Sequence, residues 1–266
     1  MKIYISADIE GITGVTSWSE TEKNTSDYGA FETQMNKEVN AACEGALAAG
    51  ADEIYIKDAH DSGRNLDHNE LPIGTKLIRG WSGHPFSMVQ GLDESFDAAI
   101  FIGYHSAGGT EFNPLSHSMN PKDVKYIKIN DEYASEFLIH AYAAATMGVP
   151  VIFVSGDRGL TDEVKNINEY ISTLAVKEGI GASSISIHPK QAIISIKEIV
   201  EKSLKENLEM CKLKLPEKFT VEIEYTSHSK AYRCSFYPGV VQVSPYILSF
   251  KSTDYFEVLR MISFLT

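Results

Sequence analysis

The chain has 266 residues, 43% hydrophobic and 23% charged, with a formal net charge of −12. This is globular composition, long enough for one large domain or two smaller ones. The acidic balance offers no basic stripe for nucleic acid, and no run of 18 apolar residues provides a membrane span. Three widely spaced cysteines, Cys43, Cys211 and Cys234, form no zinc-binding motif and read as reduced thiols. With no signal-peptide pattern at the N-terminus, the expected location is cytoplasmic.

In chain order, IYISA (3–7) reads as a strand and 29–51 as a helix, with Met35, Val39, Ala42, Ala46 and Leu47 at helical spacing. EIYIKD (53–58) is a second strand and TKLIRG (75–80) a third. FDAAIFIGY (96–104) has the continuous apolar run of a strand buried on both faces. VKYIKIN (124–130) alternates strictly, 134–148 is a helix ending at Gly148, and VPVIFVSGD (149–157) is another buried strand. The remainder reads as a long amphipathic helix (190–210), a strand (218–228), a second apolar segment of strand type (239–250) and a closing helix (254–265). The expected fold is α/β, a mostly parallel central sheet flanked by helices, with a smaller C-terminal α+β region. The boundary is placed near residue 160, giving a metal-binding core (1–160) and a region (161–266) that completes the fold and contributes oligomer contacts.

Polar groups gather at the ends of these strands. Asp8 and Glu10 follow the first strand at i, i+2 spacing, so they project from the same face. Two like charges so placed repel unless a cation lies between them. His60 follows the second strand, His105 follows 96–104, His117 sits in the polar stretch LSHSMN, and Glu136 opens the helix at 134–148. Carboxylates with imidazoles are the ligand set of zinc and similar divalent ions. The set exceeds what one zinc needs, and a carboxylate can bridge two metals about 3.5–4 Å apart. Each residue also has an ordinary reading: loop polarity for the histidines, turn or cap roles for Asp58 and Asp61, macrodipole preference for Glu136. His68 and His84 read as solvent-facing, His140 and His188 as structural, and nothing supports a role for His228.

Several motifs occur together: S-x-D-x-E-G at 6–11, D-x-H at 58–60, PFSMVQGLD at 85–93, A-x-F-x-GYH at 99–105, SHSM at 116–119, IND at 129–131 with Glu136 after it, and SGD at 155–157. In this order and spacing they resemble the zinc-dependent D-aminopeptidase family encoded in bacterial dipeptide-transport operons. The resemblance runs through most of the chain and is densest from 3 to 157. It implies a self-compartmentalising binuclear zinc peptidase, a homodecamer of two stacked five-membered rings, that removes N-terminal D-amino acids such as D-Ala from short peptides or amides. Matched motif to motif, Asp8 corresponds to the bridging carboxylate, Glu10, His60, His105 and Glu136 to the other metal ligands, and His117 to the catalytic histidine. VKEGIG (176–181) also matches, but GASSIS (181–186) stands where an arginine-containing loop is expected. That departure bears on substrate preference rather than on chemistry.

The mechanism so implied is attack on the scissile carbonyl by a water acidified between two Zn2+ ions, with Mn2+ or Co2+ as substitutes. His117 then serves as nucleophile, proton shuttle or oxyanion stabiliser, and Asp58 and Asp61 are candidates to orient His60. The expected partner is a small peptide substrate. Two other readings remain at this level: a related metal-dependent amidohydrolase with another amide substrate, and a non-catalytic peptide- or metal-binding protein of a transport system. A plain scaffold with solvated acids would bind no metal.

Overall fold

Strands dense in Ile, Val, Tyr and Phe alternate with helices that carry one apolar face. The computed structural model describes all 266 residues, Met1–Thr266. The elements are β1 (Lys2–Ala7), α1 (Tyr28–Ala48), β2 (Glu53–Asp58), β3 (Thr75–Ile78), β4 (Ala98–Tyr104), β5 (Val124–Ile129), β6 (Glu132–Tyr133), α2 (Glu136–Thr146) and β7 (Val151–Asp157). They continue with α3 (Arg158–Ile167), β8 (Ser172–Ile180), β9 (Ser183–Ser186), α4 (Pro189–Ser203), β10 (Phe219–Tyr225), α5 (His228–Cys234), β11 (Val240–Gln242), β12 (Ile247–Ser252) and α6 (Tyr255–Leu265).

A seven-stranded sheet in the order β3-β2-β1-β4-β7-β8-β9 forms the centre; all its pairings are parallel except β8–β9. Every residue of β4 and β7 is buried, as continuous apolar strands between covering helices require. The chain winds from β1 outward to β2 and β3, then returns to add β4 and β7 on the other side of β1. The carboxyl ends of β1 and β4 therefore flank the point where the winding reverses, where doubly wound sheets open a crevice. A second, antiparallel sheet has the order β11-β12-β10-β5-β6. Its helix α6 packs on α2, and the Tyr255 hydroxyl donates to the Ile139 carbonyl at 2.8 Å. One apolar core runs without a break from Ile3 to Leu265.

The fold class agrees with the sequence, but the two sheets do not part at residue 160. β8 and β9 join the first sheet, and β5 and β6 leave it to pair with β10. Strand pairing is a non-local choice that local pattern does not encode. The helix expected over 190–210 ends at Ser203, and Asn207 then caps a separate short turn by accepting from the Glu209 amide. The segment expected as one strand over 239–250 is a hairpin reversed around Pro245, which has no amide proton for a ladder. Five elements, β6, α3, β8, β9 and α5, had no sequence assignment. No helix is long and apolar enough to cross a membrane, and all three cysteines are free and buried.

Candidate metal centre

Asp8 and Glu10 lie just beyond β1, and both are buried. The loop that carries them is pressed onto the end of β4, which demands glycine at two places. A Cβ on Gly103, whose φ is +70°, would sit 2.3 Å from the Asp8 carbonyl oxygen, and one on Gly11 would sit 1.7 Å from the Tyr104 carbonyl oxygen. The Glu10 loop is also clamped by Lys177 of β8, whose buried ammonium donates to the carbonyls of Glu10 and Val15. Burial drives that ammonium down to about 8, against the pull of Asp157 and Glu10.

His60, beyond β2, stands with Nδ1 3.2 Å from Asp8 Oδ1 and 3.1 Å from Glu10 Oε2. His105, beyond β4, has Nε2 3.6 Å from Asp8 Oδ2 and 3.6 Å from Glu136 Oε2. Glu136 is the first residue of α2, held there by the Ser135 cap, whose hydroxyl accepts from the Leu138 amide at 3.0 Å. The loop from 105 to 119 folds back so that the His117 ring stacks on that of His105 at 4.3 Å, with Nε2 3.5 Å from Glu136 Oε1. The structure thus gathers all six sequence-chosen residues into two groups, Asp8–Glu10–His60 and His105–His117–Glu136, within each of which the donor atoms lie inside 4.8 Å. Asp8 directs one oxygen toward each group.

The histidine tautomers decide what this cluster can hold. His60 places Nε2 2.9 Å from the Thr21 carbonyl, His105 places Nδ1 2.9 Å from the Ser106 carbonyl, and His117 places Nδ1 2.8 Å from the Leu115 carbonyl. A carbonyl only accepts, so each of these nitrogens carries the proton, and the opposite nitrogen turns a lone pair toward the carboxylates. Lone pairs facing carboxylate oxygens at 3.1–3.6 Å are repulsive unless a proton or a metal cation lies between them. Asp8 Oδ2, Glu10 Oε2 and His105 Nε2 are buried with no hydrogen-bond partner, although buried polar atoms are nearly always paired. These donors fit a divalent cation with nitrogen and oxygen ligands.

Without a cation the charges compete. Burial, then Glu10, pushes the Asp8 carboxyl well above the carboxylate range. Burial would also lower the histidines, but Glu10 and Asp8 hold His60 well above its ordinary value, and Glu136 and Asp8 raise His105 to about 10. Burial would raise Glu10 and Glu136, yet His60 pulls the first well below its usual value and His105 lowers the second. His117 goes the other way: burial and the neighbouring His105 lower it, leaving a neutral imidazole.

Supporting contacts only partly follow expectation. Asp58 does not orient His60. It accepts from the Asn65 and Leu66 amides and the Asn65 side chain, closing the loop after β2, while the Thr21 carbonyl fixes His60. Asp157 of the SGD motif caps α3 and accepts from the Ser106 amide at 2.8 Å and from Asn113, so it braces the loop that begins at His105. Met119 donates its amide to Glu136 Oε1 at 2.7 Å. The GASSIS hairpin braces the 11–16 loop through Ser184 and Ser186 rather than forming a pocket wall. His188 caps α4, and His140 is buried with Nδ1 against the Glu136 carbonyl, both structural as expected. Lys177 and the Thr21 carbonyl were missed, although a lysine inside the apolar run LAVKEGI is itself a signal of a buried cation.

The centre opens into a cavity of about 950 Å3. Asp61, Ser87 and Met119 line it in left-handed backbone conformation, with φ of 42°, 40° and 67°. Such strain costs about 1–3 kcal/mol per residue and collects at functional sites. The fold and this donor set are compatible with an enzyme that holds a divalent cation. The D-aminopeptidase family model, Peptidase_M55, matches residues 1–264, and the chain belongs to that family, whose members are peptidases. A D-aminopeptidase of Bacillus subtilis (strain 168) is 30% identical over 268 residues, covering 100% of this chain and 97% of that protein. A solved structure described as a Zn-dependent D-aminopeptidase from Bacillus subtilis, a self-compartmentalizing protease, superposes with a TM-score of 0.92 at 28% identity, covering 100% of this chain and 96% of the other.

Proposed function

We propose that this protein is a zinc-dependent aminopeptidase with two metal ions per chain, which releases N-terminal D-amino acids such as D-Ala from short peptides or amides. The observation that carries the binuclear reading is Asp8, whose two oxygens face the two separate donor groups. Asp8, Glu10 and His60 would hold one ion, and Asp8, His105 and Glu136 would hold the other. Bound zinc supplies a Lewis acid and lowers the pKa of water.

His117 is the catalytic residue. Its lowered pKa keeps Nε2 free at neutral pH, and its Nδ1 proton is committed to Leu115. It therefore accepts the proton of the attacking water at Nε2 and returns it to the leaving amine, rather than standing as an imidazolium beside the oxyanion. His105, stacked on it, and Glu136, 3.5 Å away, hold its ring in place. Burial of these side chains in a low-dielectric wall strengthens their mutual interactions.

The solved relative's self-compartmentalizing character supports a homo-oligomer here, and we infer a decamer from the family resemblance. Three free cysteines fit a cytoplasmic location, where the products of a peptide transport system would be the substrates. The test is metal content by elemental mass spectrometry together with a panel of D- and L-aminoacyl amides. Two zinc ions per chain and cleavage confined to D-aminoacyl amides are expected. Absence of metal after incubation with zinc, or preference for L-aminoacyl amides, would overturn the assignment.

A further inference from the structure

We propose that Trp18 and Trp81 form an aromatic subsite that takes a bulky apolar side chain of the peptide substrate. This rests on the peptidase reading above and names the substrate class of the same site. The chain has two tryptophans, and both line the cavity that contains the metal centre.

Neither ring is buried as a core residue would be: Trp18 is 37% exposed and Trp81 42%. Yet each is fixed by directed contacts. Beneath Trp81 lies Lys57, completely buried at the end of β2, with its ammonium 3.8 Å from the ring centroid. That ammonium also donates to the carbonyls of Asp58 and Gly80, each at 2.7 Å, so it ties the Trp81 loop to the strand that presents His60. The indole nitrogen donates to the Asp61 carbonyl at 2.7 Å. Trp18 stands edge-on to the catalytic His117, with ring centroids 5.2 Å apart.

A lysine taken fully out of water is costly. Here it is satisfied by two carbonyls and a cation–π contact, and the outcome of that arrangement is an aromatic ring held rigid while part of its surface stays open to the cavity. Met88 and Leu115 continue the apolar lining. A cavity of about 950 Å3 is far larger than two alanine residues need, and rigid aromatic walls recognise apolar groups at little entropic cost.

The zinc-loaded enzyme is assayed with D-Ala-D-Ala, D-Ala-D-Phe and D-Phe-D-Ala, so that the ring is offered on either side of the scissile bond. One phenylalanine peptide is expected to exceed D-Ala-D-Ala in kcat/KM by about tenfold or more. Trp81→Ala should bring that ratio close to one. Lys57→Met should raise KM for the phenylalanine peptide with zinc content unchanged, and Lys57→Arg should restore it, which marks Lys57 as a positioning residue. Tryptophan emission is read in parallel with the reduced-bond, uncleavable analogues of the same peptides, and should shift more with the phenyl analogue. Ratios within about twofold of one in the wild type, or a ratio indifferent to both Trp81→Ala and Trp18→Ala, would overturn the proposal. Cleavage of none of the three peptides overturns the peptidase reading instead. The emission measurement then decides the subsite by itself: no greater shift with the phenyl analogue rejects it.

Discussion

Replacing Asp8 by alanine separates a metal-bridging role from a structural one. The side chain has one oxygen near His60 and the other near His105, at 3.2 and 3.6 Å, so its loss should empty both sites rather than one. Ligand linkage gives the size of the effect. Zinc at a thousand times its Kd stabilises the folded state by about 4 kcal/mol per site, about 8 kcal/mol for two, and a domain of this size gains roughly 2–4 °C in Tm per kcal/mol. Adding zinc to chelator-treated wild type should therefore raise Tm by roughly 16–32 °C, and should leave Asp8→Ala unmoved. The metal-free forms should differ little. The variant loses the bond from the Ile9 amide to Asp8 Oδ1 at 2.9 Å, worth about 1 kcal/mol, and is relieved of an acid that burial and Glu10 make costly to ionise. The assay is thermal melting of both proteins with and without zinc, alongside elemental analysis. If Asp8→Ala keeps two zinc ions and the full zinc-dependent rise in Tm, the bridging argument is wrong. If the metal-free variant melts about 10 °C or more below metal-free wild type, Asp8 is chiefly structural.

His117→Ala should retain zinc and lose about 10²–10⁴-fold in kcat; loss of metal in this variant would make His117 a ligand instead. Gly103→Ala, which sets a Cβ 2.3 Å from the Asp8 carbonyl at a φ of +70°, should cost about 2–4 kcal/mol and lower zinc affinity. Gly50→Ala, with φ +93° and open space around it, should cost about 1 kcal/mol and leave zinc binding intact, as denaturation and zinc titration of the two variants will report. In chelator-treated protein, His105 is raised from 6.5 to about 10 and His60 well above its ordinary value. The folded state therefore holds more protons than the unfolded one in this window, and Tm should fall as pH rises from about 6.5 toward 10. Zinc competes with those protons for the same nitrogens, so the zinc-dependent gain in Tm should shrink as pH falls; a gain independent of pH would contradict the ligand assignment.

The strands were legible because burial writes itself into sequence locally. FDAAIFIGY and VPVIFVSGD are apolar on both faces, and only a sheet covered by helices on both sides accommodates that. The donor set was legible for a related reason: Asp8, Glu10, His60 and His105 are acids or imidazoles placed directly where apolar strands stop, and a charge there needs a reason. What local pattern could not carry was partnership. Whether 124–129 joins the parallel sheet or pairs with 219–225 depends on residues about a hundred positions apart, and neither segment records the other. The GASSIS stretch, the split of 239–250 around Pro245 and the 3.1 Å approach of His60 to Glu10 are likewise outcomes of packing. The acceptors that fix each histidine's tautomer are backbone carbonyls of Thr21, Ser106 and Leu115. Every residue has such a carbonyl, so sequence cannot mark the one that matters. The residue types alone pointed to metal chemistry; the tertiary fold decided which lone pairs meet, because only the winding reversal between β1 and β4 brings those strand ends to one crevice.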